Sequence, residues 1–205
     1  MLNMPEKIEG KRIVLLRPFP ATFELAREIF EKVELSRKTL RDWLSWVDGT
    51  KRPEDRMSWL VNGAQKNWET GAGYVYLIRD KKTATLLGVI DLMDCNEKYK
   101  SAEIGYWLCD DAVGHGYMTE AVKDLETAAF KKGFNRIMIR TDTKNKRSDN
   151  VPKRCGYYLE GTLRSVKWSD RRKSFYDVNV WSKLKKEWKK QIKGEKTCSK
   201  CQKKS

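Results

Sequence analysis

The sequence predicts an α/β domain built on a central mixed β-sheet flanked by helices. Three observations carry this expectation. Residues 102–108 alternate aromatic and β-branched side chains as a strand does, residues 119–125 begin a helical pattern, and residues 136–141 form a second compact β-branched run. A helix between two strands is a crossover, so these strands should lie parallel. Residues 73–80 and 86–93 read as strands joined by the polar turn KKTAT, and residues 157–168 and 173–184 read as a second hairpin around Ser169 and Asp170, which makes the sheet mixed. Finally, 205 residues at 40% hydrophobic content suit one domain with residues to spare at its C-terminus.

In chain order, residues 11–19 alternate and stop at Pro18 and Pro20, which cannot donate to a ladder, so they form the first strand. Thr22 is an N-cap candidate for a helix in which Leu25, Ala26, Ile29, Phe30 and Val33 recur at helical spacing. A second amphipathic helix carries Leu40, Trp43, Leu44 and Val47. Pro53 opens a third, where Glu54 and Asp55 complement the helix dipole and Gly71 is placed to end it. The crossover helix should run to about Lys132 and Gly133, and another helix should span residues 145–155 before Gly156.

The most informative stretch is GHGYMTEAV, residues 114–122. Two glycines one residue apart let backbone approach a ligand, and the following helix begins with N–H groups that have no partner. Such a terminus binds phosphate. With its flanking strand and helix, the stretch resembles the acetyl-coenzyme A signature of the GNAT superfamily of N-acetyltransferases, in its RimJ/RimL-type branch. KNKRSDNVPKRCGYYLEGTLR (residues 144–164) and YDVNVWSKLKKEW (residues 176–188) resemble the family's N-x-x-S helix and closing strand, so the resemblance covers roughly residues 8–188. One departure is Val113, which stands where the pattern Q/R-x-x-G-x-G/A has Gln or Arg; Met118 stands at the last position.

The resemblance implies a GNAT fold splayed between its two parallel strands, with acetyl-CoA as cosubstrate and no metal. It assigns the cofactor to Gly114, His115, Gly116, Tyr117, Met118 and Thr119, to backbone at Trp107, Leu108 and Cys109, and to Asn145. Ser148 would supply a hydrogen bond or proton to the leaving thiolate, while spacing alone reads Asn145 as a helix cap and Ser148 as solvated. Glu103 is the candidate base, because alternation puts it on the face of Trp107; a surface carboxylate is the alternative. Tyr157 and Tyr158 are secondary candidates for the acid. Arg37, Trp43 and Trp46 lie in a segment resembling the family's substrate-side helices, with Trp43 also readable as core and Trp46 and Arg37 as exposed.

The formal charge of +15 divides unevenly. Ten lysines and two glutamates in residues 182–205 carry +8, leaving +7 on the remainder, which suits an anionic cofactor or acidic protein and does not require nucleic acid. The GNAT domain is therefore set at residues 1–188 and a flexible Lys-rich tail at 189–205, where nucleic acid would bind if anywhere. Cys198 and Cys201 have metal-ligand spacing but lack two further ligands nearby. No apolar run reaches the length of a membrane span, and five scattered cysteines without a secretory signal predict a cytoplasmic protein. Its acceptor would be a protein N-terminus, a ribosomal protein's foremost, or a small-molecule amine such as a polyamine or antibiotic. A non-catalytic RNA- or ribosome-binding protein is the other reading, and both monomer and homodimer remain open.

Overall fold

The computed structural model describes residues 2–201, with side chains through Gly194. Its elements are β1 (Lys7–Glu9), β2 (Ile13–Leu16), α1 (Phe23–Leu35), α2 (Arg37–Leu40), α3 (Trp46–Gly49), α4 (Pro53–Ser58), α5 (Lys66–Thr70), β3 (Tyr74–Asp80), β4 (Leu86–Asn96), β5 (Ser101–Leu108), α6 (Tyr117–Lys132), β6 (Arg136–Asp142), α7 (Lys146–Cys155), β7 (Tyr158–Ser169), β8 (Ser174–Leu184) and α8 (Lys185–Cys201). The strands form one sheet in the order β1-β2-β3-β4-β5-β6-β8-β7. β5 and β6 pair parallel and the other neighbours antiparallel, as a helical crossover and a set of hairpins require.

The parallel pair soon comes apart. Ser101 registers with Arg136, Ala102 with Ile137 and Glu103 with Met138; beyond that point the pairing stops, although β5 continues to Leu108 and β6 to Asp142. β6 is held instead along its length by β8. The resulting gap is the splay that the family resemblance implied.

Alternation divides the sheet into two apolar faces. On one, Val122, Leu125 and Phe130 of α6 pack with Ile90, Ile104 and Ile139. On the other, Ile29 and Val33 of α1 and Leu60 pack with Val75, Leu77 and Val89. Each fully buried side chain of this size contributes roughly 1.5–3 kcal/mol. Lys183 is a buried exception: its Nζ lies 2.7 Å from Glu126 Oε1 and 3.1 Å from Gln191 Oε1, and it also donates to the carbonyl of Cys155.

Several elements depart from expectation. The first strand is shorter than residues 11–19 and is preceded by β1, joined through a turn in which Gly10 N donates to Ile13 O at 3.0 Å. The second amphipathic helix is broken into α2 and α3, each of four residues. Asp42, Ser45, Asp48 and Gly49 favour helix weakly, so the local pattern yields to tertiary contacts. The third helix is continuous from α4 to α5 through a π-helical segment, Trp59–Gln65, and Gly71 ends it at φ 73°. The boundary set at residue 188 falls inside α8, where Trp188 is buried against Phe130 with ring centroids 5.5 Å apart and Ile192 packs on the core. Cys198 and Cys201 lie outside the described side chains.

Candidate active site

The turn before α6 is built by two glycines in the left-handed region, Gly114 at φ 90° and Gly116 at φ 78°. Gly116 is the N-cap and offers no side-chain acceptor, so the first N–H groups of a 16-residue helix face outward without a protein cap. A Cβ on Gly114 would meet nothing within 4 Å; that glycine is required by its backbone angle and leaves the loop open to a ligand. Arg12, just ahead of β2, braces the loop. Its Nη1 donates to His115 O at 2.9 Å, its Nε to Glu120 Oε2 at 2.8 Å, and its guanidinium lies 4.7 Å from the Tyr117 ring centroid.

The splay lies next to this loop. Cys109 N donates to Leu87 O at 2.8 Å and so points into β4. Successive amides on a strand point to opposite sides, which turns the Leu108 N–H towards the side that β6 has left. On the far side of the gap, Asn145 Oδ1 caps α7 by accepting from Ser148 N at 3.1 Å. Ser148 Oγ donates to the Tyr106 hydroxyl at 3.3 Å, and that hydroxyl donates to Ser148 O at 3.1 Å. Burial pushes the Tyr106 hydroxyl above its ordinary pKa, so it stays protonated. Asp149 anchors the helix from below: its Oδ1 accepts from Thr141 Oγ1 at 2.8 Å and from Asn179 Nδ2 and Trp181 Nε1 at 2.9 Å each.

On the opposite face of β5, Glu103, Gly105 and Trp107 follow one another. Glu103 is buried, with Arg140 Nε 2.6 Å from its Oε2; burial raises its pKa while Arg140 pulls it down. Asp91 of β4 registers with Gly105 and fills the space that glycine leaves, since a Cβ there would come within 2.7 Å of Asp91 Oδ1. Burial and then the Glu103 charge raise the Asp91 carboxyl to about 7. Trp46 packs on Trp107 with centroids 6.0 Å apart. The turn after β7 closes the rim: Arg171 Nε lies 2.6 Å from Asp42 Oδ1, while Arg172 sits 5.7 Å from the Trp43 ring and 2.5 Å from Asp142 Oδ2. Among the described residues, no three His, Cys, Asp or Glu side chains converge to hold a metal ion.

The profile of the acetyltransferase (GNAT) domain matches residues 14–158, from β2 to the first residue of β7. The chain belongs to the GNAT acetyltransferase family. YdaF of Bacillus subtilis (strain 168), whose name assigns it provisionally to ribosomal N-acetylation, is 27% identical over 168 residues, spanning 80% of this chain and 87% of YdaF. The ribosomal-protein-serine acetyltransferase of Escherichia coli (strain K12) is 24% identical over 159 residues, 77% of this chain and 86% of that one. Among solved structures, RimL, the ribosomal L7/L12 alpha-N-protein acetyltransferase in complex with coenzyme A, superposes with a TM-score of 0.80 at 23% identity, covering 87% of this chain and 98% of RimL. The microcin C7 self-immunity acetyltransferase MccE, in complex with acetyl-CoA and AMP, has a TM-score of 0.80 at 24% identity over 89% of this chain and 98% of MccE.

Within this GNAT domain the residues singled out in the sequence do not all meet. Gly114, His115, Gly116, Tyr117 and Thr119 form one loop and helix start beside the splay, but the Met118 side chain is buried in the core and Thr119 Oγ1 accepts from Arg154 Nε at 3.2 Å. The Cys109 N–H, expected to face the ligand, is taken by β4. Arg37 is committed to Glu34 and to the carbonyls of Val47 and Thr50, which closes the α2–α3 turn. The two tryptophans exchange their expected settings: Trp43 is exposed and Trp46 is half-buried on Trp107, because the break in the helix rotates one relative to the other. Tyr157 is buried in the core and Tyr158 is exposed on edge strand β7. Sequence reasoning missed Asp91, Arg12 and Asp149. Asp91 did leave a trace, as the single charge within the apolar run LLGVIDLM.

Proposed function

We propose that this GNAT domain transfers an acetyl group from acetyl-CoA to the N-terminal α-amine of a protein, a ribosomal protein foremost, in the cytoplasm. The observation that carries the reading is the union of a glycine-capped helix start with a sheet opened beside it. The uncapped N–H groups from Gly114 to Thr119 suit the pyrophosphate, and the gap between β5 and β6 suits the pantetheine arm. At its end, the Leu108 N–H is available to the oxyanion that develops on the thioester carbonyl. In this reading Ser148, hydrogen-bonded to Tyr106 across the gap, gives a proton to the departing thiolate, and Asn145 holds that helix end in place. The acceptor approaches over Trp107 and Trp46, under the rim made by Trp43 and Arg172. The names of the curated relatives support a ribosomal acceptor.

Calorimetric titration of acetyl-CoA tests the cofactor site, and mass spectrometry of ribosomal proteins incubated with enzyme and acetyl-CoA tests the acceptor. Wild type should bind in the micromolar range, and Gly116→Trp, which puts an indole where the loop turns at positive φ, should abolish binding while far-UV circular dichroism stays native. Failure of the wild-type protein to bind acetyl-CoA would defeat the reading; binding without acetylation of any ribosomal protein would move the acceptor to a small-molecule amine.

A further inference from the structure

Two carboxylates share the acceptor face of β5, and they are not equivalent. Glu103 has a cation beside it in Arg140 of β6, and Lys167 of β7 also acts on it. Among the described residues, no Lys or Arg lies within ion-pair distance of Asp91. The groups acting on Asp91 include Glu103 from β5, Asp94 from its own strand and the backbone amide of Gly105, and the Asp91 charge in turn acts on the thiol of Cys95, also on β4. Gly105 decides its position. Any side chain there would collide with Asp91 and with Met93, so the glycine lets the Asp91 carboxyl lie over β5 between Glu103 and Trp107, where pairing with β6 has just ended.

We propose that Asp91, rather than Glu103, accepts the proton of the acceptor ammonium, while Glu103 is a positioning residue held by Arg140 that keeps negative charge beside it. This rests on the acetyltransferase reading and names a residue for its base. One N–H bond of R–NH3+ breaks as its proton passes to the Asp91 carboxylate. The freed nitrogen lone pair forms the C–N bond to the acetyl carbon, the C–S bond breaks, and its electrons leave on the thiolate, which takes a proton from the Ser148 side. The proton lost by the nitrogen on becoming an amide goes to water. A carboxyl that ionises at about 7 matches this task, since it is available as a base near neutrality yet close enough in proton affinity to an α-amine to receive its proton. Glu103 would have to give up Arg140 to do the same.

The test is the pH dependence of acetylation of a synthetic peptide with an unblocked N-terminal serine, in wild type, Asp91→Asn and Glu103→Gln. Acetyl-CoA affinity is measured by calorimetry on each variant. In wild type, kcat/KM should rise through about pH 7, the value at which Asp91 ionises. Asp91→Asn should lower kcat by about a hundredfold or more, leave acetyl-CoA affinity unchanged and retain only the rise from the amine's own ionisation near pH 8. Glu103→Gln should keep the Asp91 rise but move it to lower pH, because a negative neighbour is gone and Arg140 is freed. The converse pattern, in which Glu103→Gln loses the rise and Asp91→Asn keeps it, overturns the assignment. A second measurement does not depend on turnover: carbon-13 NMR titration of the aspartate carboxyls should show one that ionises near 7 and vanishes in Asp91→Asn, and its ionisation at an ordinary aspartate value also overturns the assignment. Wild type that binds no acetyl-CoA and turns over no peptide would remove the functional reading and this inference with it.

Discussion

At the scale of single residues, the site depends on buried polar groups whose partners come from other elements. Asp149 is 3% exposed, and its carboxylate collects Thr141, Asn179, Trp181 and Lys153, which together hold it at about 2. Asp149→Ala leaves the buried donors Thr141 and Trp181 and the half-buried donor Asn179 without an acceptor and should cost about 3 kcal/mol or more in urea denaturation at pH 7. The sign of the pH dependence follows from the depressed value. The contribution is fully present above the ordinary aspartate pKa and disappears as pH falls through about 2, so the gap in stability between wild type and the variant should shrink in acid. Nothing in the one-dimensional pattern marks Asp149, because its partners on β6 and β8 lie up to 32 positions away. Spacing alone did mark Asn145 as the cap of α7, and Ser148 N donates to its Oδ1 at 3.1 Å as that reading requires, because a cap depends on residues only three positions apart.

At the scale of elements, periodicity predicted what local physics controls. The hairpins, the crossover and the helix that starts at Gly116 follow from alternation, from 3.6-residue spacing and from glycine at positive φ. The α2–α3 break did not follow, because it depends on Arg37 donating to the carbonyls of Val47 and Thr50 across the turn. The brace on the Gly114–Gly116 loop was equally hidden: Arg12 and His115 are 103 positions apart. Arg12→Ala removes a charge-assisted bond to the loop carbonyl and should weaken acetyl-CoA binding by about tenfold, equivalent to about 1.4 kcal/mol, without changing the fold by circular dichroism. Affinity equal to wild type would show that the loop holds its shape through its glycines alone.

At the scale of the whole molecule, the buried Lys183–Glu126 pair ties β8 to α6, with Cys155 of α7 and Gln191 of α8 completing the set. Lys183→Met strands the Glu126 carboxylate in the core and should cost about 3–5 kcal/mol by chemical denaturation, whereas pairing it with Glu126→Leu should recover most of that loss, because the charge cost disappears from both sides. This network also explains why the chain past residue 188 begins as a docked helix although its composition reads as a solvated tail: Trp188 and Ile192 find apolar partners that only the folded sheet presents. By itself the sequence determined the kinds of elements, the β-α-β crossover and the glycine-capped helix start, since each depends on neighbours within a few residues. Only the tertiary structure decided where β5 and β6 part, which tryptophan packs on Trp107, and that Asp91 lies over Gly105 beside Glu103. Those outcomes depend on strand register and on the desolvation of charges by residues distant in the chain, and neither is set by local sequence.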